Sequence, residues 1–86
     1  MRIELRLFGP LRDREFEGRL SLPADNVSTI RDVRRLLASH AEQHWGGSFV
    51  GLLAVSAIAD DQTILRDDEP VPRRTCLAVL PPVNGG

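Results

Sequence analysis

At 86 residues with a net charge of -1 and 42% hydrophobic content, the chain has room for one modest core and little else. The near-neutral balance leaves no electrostatic footprint for nucleic acid or an anionic membrane. No apolar run approaches the roughly 20 residues that span a bilayer, and the one cysteine excludes an internal disulfide framework.

Arg2-Ile3-Glu4-Leu5-Arg6-Leu7 alternates strictly. Ile3, Leu5 and Leu7 are expected to face a core, with Arg2, Glu4 and Arg6 outward, as in a half-buried strand. Phe8-Gly9-Pro10 ends it with turn residues, and the charged stretch from Leu11 to Glu15 reads as a loop. Phe16 to Leu22 is a weaker second strand closed by Pro23. Val27-Ser28-Thr29 then opens a helix, with Thr29 and Asp32 at capping-box spacing. Ile30, Val33, Leu36, Leu37 and Ala41 make its apolar face, and Arg31, Arg34, Arg35 and Glu42 its solvated one. The helix should stop near Gly46-Gly47.

Leu52 to Ala59 is an apolar run read as a buried strand, followed by a turn at Asp60-Asp61 and a short strand from Gln62 to Leu65. Thr75 to Leu80 is the last strand. It is apolar on both faces, so either both are covered or one face waits for a partner. One main helix on a mixed sheet of four to five strands is an α+β layer, the β-grasp pattern of ubiquitin-like proteins.

Other reactive residues are discounted. Cys76 falls inside the last predicted strand and reads as buried and inert. His40 and His44, four apart on the helix, offer two metal ligands and no third, so no metal site is assigned and both read as surface histidines. Asp60-Asp61 and Asp67-Asp68-Glu69 lack calcium-loop spacing and read as solvated turns. All the basic residues are arginine. Without lysine, the chain can be joined to itself only through its α-amino group.

The sequence ends Pro81-Pro82-Val83-Asn84-Gly85-Gly86. Gly85 and Gly86 carry no side chains, so a narrow channel can admit them. Pro81 and Pro82 stiffen the approach by fixing φ. About six extended residues reach roughly 20 Å, enough to place a carboxylate at Gly86 inside another protein. The expected organisation is one domain over 1–86 with a flexible tail over 81–86. Phe8, Leu77, Val79 and Leu80 are candidates for an apolar docking surface beside it. Met1-Arg2 leads into an alternating strand rather than an apolar leader, and a cytoplasmic location is expected.

These residues resemble the ubiquitin-like sulfur carriers (MoaD/ThiS-like), most closely the small subunits of molybdopterin synthase. The sharpest match is Leu77-Ala78-Val79-Leu80-Pro81-Pro82-Val83-Asn84-Gly85-Gly86, where the family has an apolar strand, Pro-Pro-Val, one variable residue and Gly-Gly. Phe8-Gly9-Pro10-Leu11-Arg12-Asp13, Val27-Ser28-Thr29 and Glu69-Pro70-Val71 resemble its other landmarks. The departures are Pro72-Arg73-Arg74-Thr75 for a common Gly-Asp turn, Val79-Leu80 for an aromatic pair, and Asp61 for an Asn.

The resemblance implies a non-catalytic carrier with no bound cofactor. A ubiquitin-activating-like adenylyltransferase uses ATP to adenylate the Gly86 carboxylate, and a sulfur donor converts it to a thiocarboxylate. Gly85 fits the channel, and Pro81, Pro82, Val83 and Asn84 contact the partner along the tail. The acceptor is the large synthase subunit, in a two-plus-two heterotetramer, where the sulfur enters the molybdopterin dithiolene. Alternatives are a carrier for thiamin thiazole, or another thiocarboxylate-dependent pathway such as a cysteine route, and, in a different class, a ubiquitin-like binding module whose tail does no chemistry.

Overall fold

The computed structural model describes residues 2–72 and 76–82. Its elements are β1 (Arg2–Leu7), β2 (Arg19–Pro23), α1 (Ile30–His44), α2 (Ser48–Ala54), β3 (Ala57–Ala59), β4 (Ile64–Leu65) and β5 (Leu77–Leu80), with a 3₁₀ segment at Gly9–Arg14 and another at Phe16–Gly18.

The five strands form one sheet in the order β2-β1-β5-β3-β4. β1 pairs antiparallel with β2 and parallel with β5, and β3 pairs antiparallel with both β5 and β4. A parallel neighbour needs a long crossover, and the helices lie in that crossover. The alternation read in β1 is realised: Ile3, Leu5 and Leu7 are buried and Arg2, Glu4 and Arg6 exposed. Register carries this apolar row across the sheet. Leu20 faces Leu5, which faces Leu77, while Leu7 faces Val79, Val79 faces Ile58 and Ile58 faces Leu65. Ile30, Val33, Leu37 and Ala41 of α1 cover that row and are fully buried. With one face of the sheet covered by helix, this is the expected β-grasp architecture.

α1 starts where the capping box places it. The Asp32 amide donates to Thr29 Oγ1 (3.4 Å), and the Ser28 and Thr29 amides donate to Asp32 Oδ2 (3.0 Å each). Those amide bonds hold the Asp32 carboxyl below its ordinary range. The Ile30 and Arg31 amides, which have no partner within the helix, donate to the carbonyls of Glu69 and Asp67. α1 ends at Trp45. Gly46 there takes φ +103, a conformation that favours glycine, and its amide donates to the Ala41 carbonyl at 2.8 Å.

Four readings of the elements are corrected. The loop expected from Leu11 to Glu15 is largely the first 3₁₀ segment, because Leu11 is fully buried and pulls the chain onto the core. The second strand starts at Arg19 rather than Phe16, which is 85% exposed in the second 3₁₀ segment. The apolar run Leu52–Ala59 is split: Leu52 to Ala54 end α2, and only Ala57–Ala59 pair as strand. A short apolar run has no period that separates buried helix from buried strand. The strand expected from Gln62 pairs only at Ile64–Leu65.

Arg34 does not belong to a solvated face. Its Nη1 donates to the Leu53 (2.8 Å) and Ser56 (2.6 Å) carbonyls, and its Nη2 to Asp67 Oδ1 (2.8 Å). That bond, helped by the Arg34 and Arg31 charges against the cost of burial, holds the Asp67 carboxyl below its ordinary range. The Asp67–Glu69 turn is therefore only partly solvated. The Asp60 turn is as expected, its carboxylate accepting from the Gln62 and Thr63 amides.

Candidate functional site

β5 leads into the Pro-Pro stem, and its alternation decides which residues a partner can reach. Leu77 and Val79 point inward and are 0% exposed. They are core residues, which corrects the expectation that they dock a partner. Ala78 and Leu80 lie on the opposite face, half-buried. β5 is the central strand of the sheet, and helix covers only its inner face.

Phe8 follows β1 in an extended conformation (φ -127, ψ 164) and is 41% exposed. Leu7 and Val79 are register partners on parallel strands, so Phe8 and Leu80 come next on the same outer face. Register adds neighbours that sequence reasoning missed. Leu80 pairs with Ala57, Ala78 with Ala59, and Ala59 with Ile64, and Ile64 is 63% exposed. A two-residue strand has no period to read, so nothing in the sequence marked Ile64 as outward. The outer face beside the stem is an apolar strip of Phe8, Leu80, Ala78, Ala57 and Ile64.

The stem itself rests on the turn after β1. Gly9 has φ +60, and a Cβ there would lie 3.0 Å from Pro81 Cγ. The glycine thus meets two needs, the left-handed backbone and the close approach of Pro81. Pro81 is half-buried and Pro82 exposed. The expectations for Val83, Asn84, Gly85 and Gly86 lie outside the described residues.

Two discounted groups are placed differently from expectation. Cys76 is exposed, immediately before β5 rather than inside it. His40 is no free surface residue. Its Nε2 lies 2.9 Å from Glu15 Oε2, which also accepts from Trp45 Nε1 at 2.8 Å. Burial pushes the Glu15 carboxyl up. The His40 and Trp45 hydrogen bonds and the charges of His40 and His44 outweigh it and hold the group below its ordinary value. No cluster of three His, Cys, Asp or Glu able to hold a metal occurs among the described residues, and no helix among them is long and apolar enough to cross a membrane.

A family model described as the ThiS family matches residues 5–86, nearly the whole chain including the glycine pair. The chain belongs to the ThiS family. No curated protein matches this ThiS-family chain at a significant level. Among solved structures it is similar to SAMP1 from Haloferax volcanii, with 19% identity, all of both chains covered and a TM-score of 0.67. It is also similar to a chain in the complex of subunits 1 and 2 of molybdopterin-converting factor from Helicobacter pylori 26695, with 25% identity, all of both chains covered and a TM-score of 0.59. The first likeness bears on fold alone. Together with the family match, they make this a MoaD/ThiS-like, ubiquitin-like sulfur carrier with a β-grasp fold.

Proposed function

We propose that this carrier is the small subunit of molybdopterin synthase and delivers sulfur from a thiocarboxylate on Gly86. One observation favours this acceptor over others: the likeness, over the full length of both chains, to a chain in the complex of molybdopterin-converting factor subunits 1 and 2. The Pro81-Pro82-Val83-Asn84-Gly85-Gly86 ending supports the same reading.

A carboxylate is a poor acyl donor because its leaving group is oxide. In this reading an ATP-dependent adenylyltransferase makes the Gly86 acyl-adenylate and releases pyrophosphate. Sulfur from a donor then displaces AMP and leaves the thiocarboxylate. The large synthase subunit receives the tail through its channel, with Gly85 and Gly86 narrow enough to enter and Phe8, Leu80 and Pro81 supporting the stem. Its pterin substrate takes the sulfur, and water restores the carboxylate. The dithiolene holds two sulfurs, so two loaded carriers serve each product, in keeping with a two-plus-two heterotetramer. The chain contributes the cargo and its positioning and no general acid or base. In this reading it is a subunit and substrate rather than an enzyme, working in the cytoplasm.

Intact mass after co-expression with an activating enzyme and a sulfur donor tests the chemistry. The expected change is one oxygen replaced by sulfur, localised to Gly86 by fragmentation. An unmodified terminus, with a control carrier loaded by the same enzyme, overturns it. The second reading is a carrier for another acceptor, the thiazole of thiamin, within the same ThiS family. Feeding the loaded carrier to each acceptor system decides between the two.

A further inference from the structure

Most described arginines have an anionic or aromatic partner. Arg34 binds Asp67 and Arg66 pairs with Asp68. Arg2 donates to Ser21, whose hydroxyl donates to Glu4, and Arg14 sits 5.3 Å over the Phe49 ring. Arg31 and Arg35 lie near enough to Asp67 and Asp32 to lower those carboxyls. The side chains of Arg6, Arg12 and Arg19 have no hydrogen bond or ion pair among the described residues.

These three are gathered in one place. Arg6 and Arg19 are direct partners across β1 and β2, both exposed on the outer face. Like charges placed opposite in a ladder are destabilising. The pair lines a cleft of about 340 Å³ with Glu4, Leu5 and Cys76. Arg6 also lines an adjoining cleft of about 120 Å³ with Leu7, Phe8, Arg12, Glu17 and Gly18. Glu4, which accepts from the Ser21 hydroxyl, and Glu17 keep their negative charges and form no ion pair with these arginines among the described residues. Three guanidiniums against two carboxylates leave the lining of the two clefts with a net charge of +1, although the chain as a whole carries -1.

We infer that Arg6 and Arg19, flanked by Arg12, form a docking site for an acidic segment of a protein partner. Guanidinium forks match carboxylates in bidentate geometry. Two adjoining clefts sharing Arg6 suit successive carboxylates along one chain rather than a single small anion. An acidic partner removes the repulsion between the paired arginines on binding and speeds encounter by electrostatic steering. Arg6 pairs with Ala78 in the sheet and lies two residues before Phe8, so the site continues the apolar strip beside the stem. If the proposed function holds, that continuity makes the acidic segment part of whichever protein receives the tail. The docking itself does not depend on sulfur transfer.

The test uses the full chain and a synthetic hexaglutamate peptide, followed by backbone amide shifts in two-dimensional NMR at about 50 mM salt. We expect shifts confined to the Arg6, Arg12 and Arg19 neighbourhood and binding that weakens at least threefold when salt is raised fourfold. Arg6→Glu with Arg19→Glu should weaken binding about tenfold or more, while Arg31→Glu with Arg35→Glu on the helix changes it less than threefold. Arg19→Gln guards against misfolding. It should weaken binding while leaving the thermal midpoint unchanged or higher, because it removes a repulsion. Equal loss from the sheet and helix variants overturns the site, as does displacement of the peptide by an equal charge concentration of inorganic pyrophosphate. Absence of any shift also overturns it. Failure to load Gly86 with sulfur bears only on the proposed function, because the peptide experiment uses the unloaded chain.

Discussion

Leu77 and Leu80 are three residues apart on one strand and have different jobs. Leu77 is fully buried beside Leu5 on the inner face of the sheet, while Leu80 is half-buried on the outer face. Leu77→Ala should cost about 2–5 kcal/mol of unfolding free energy, the range for a leucine deleted from a core. Leu80→Ala should cost much less and instead weaken partner binding. Urea unfolding of both variants, with binding to the large subunit of the proposed function as second readout, checks this. Equal destabilisation by the two would contradict the orientation of β5. Gly9 gives a second prediction at this scale. Gly9→Ala forces a side chain into left-handed backbone, worth about 1–2 kcal/mol, and sets its Cβ 3.0 Å from Pro81 Cγ. The expected outcome is a lower unfolding midpoint and altered shifts at Pro81.

Among the elements, α1 is the best specified by its own residues. Its capping box was legible because Thr29 and Asp32 stand at fixed spacing before an apolar period. Thr29→Ala should lose about 1 kcal/mol, with Thr29→Ser keeping most of it. What ties α1 to the rest was not legible. Arg34 reaches Asp67 across 33 residues and His40 reaches Glu15 across 25, and neither separation carries a local signal. Both carboxyls titrate below their ordinary values of 4.5 for Glu15 and 3.8 for Asp67. The unfolded chain therefore binds protons at a higher pH than the folded one. The stability these ties contribute is fully present above those ordinary values and is lost as pH falls through the lowered ones. Glu15→Gln should flatten the acid limb of the stability curve below about pH 4.5, and Asp67→Asn below about pH 3.8. Trp45, bonded to Glu15, supplies the fluorescence readout.

For the whole molecule, small size turns local losses into large shifts. In a domain of this length 1 kcal/mol moves the thermal midpoint by about 4–8 °C, so the Thr29→Ala midpoint should fall by that amount in a calorimetric scan. The lysine-free composition has a chemical consequence at the same scale. Arginine stays protonated and is a poor acyl acceptor near neutral pH, so under the proposed function a loaded Gly86 should not acylate side chains of another copy. Incubating the loaded carrier alone should give hydrolysis to the starting mass and no side-chain-linked dimer.

By itself the sequence determined β1, α1 and the Pro-Pro-Val-Asn-Gly-Gly ending, because each rests on residues a few positions apart: a period of two, a cap and its helical stripe, a contiguous motif. The β-grasp reading followed from the order of those elements. Only the tertiary structure decided which side of β5 meets the helices, that Leu11 enters the core through a 3₁₀ turn, and that Ser48–Ala54 is helix. It also set Arg6 against Arg19 and Phe8 beside Leu80. Those outcomes depend on partners brought together by strand register from distant parts of the chain, and register is settled by burying one face of the whole sheet at once rather than by any segment alone.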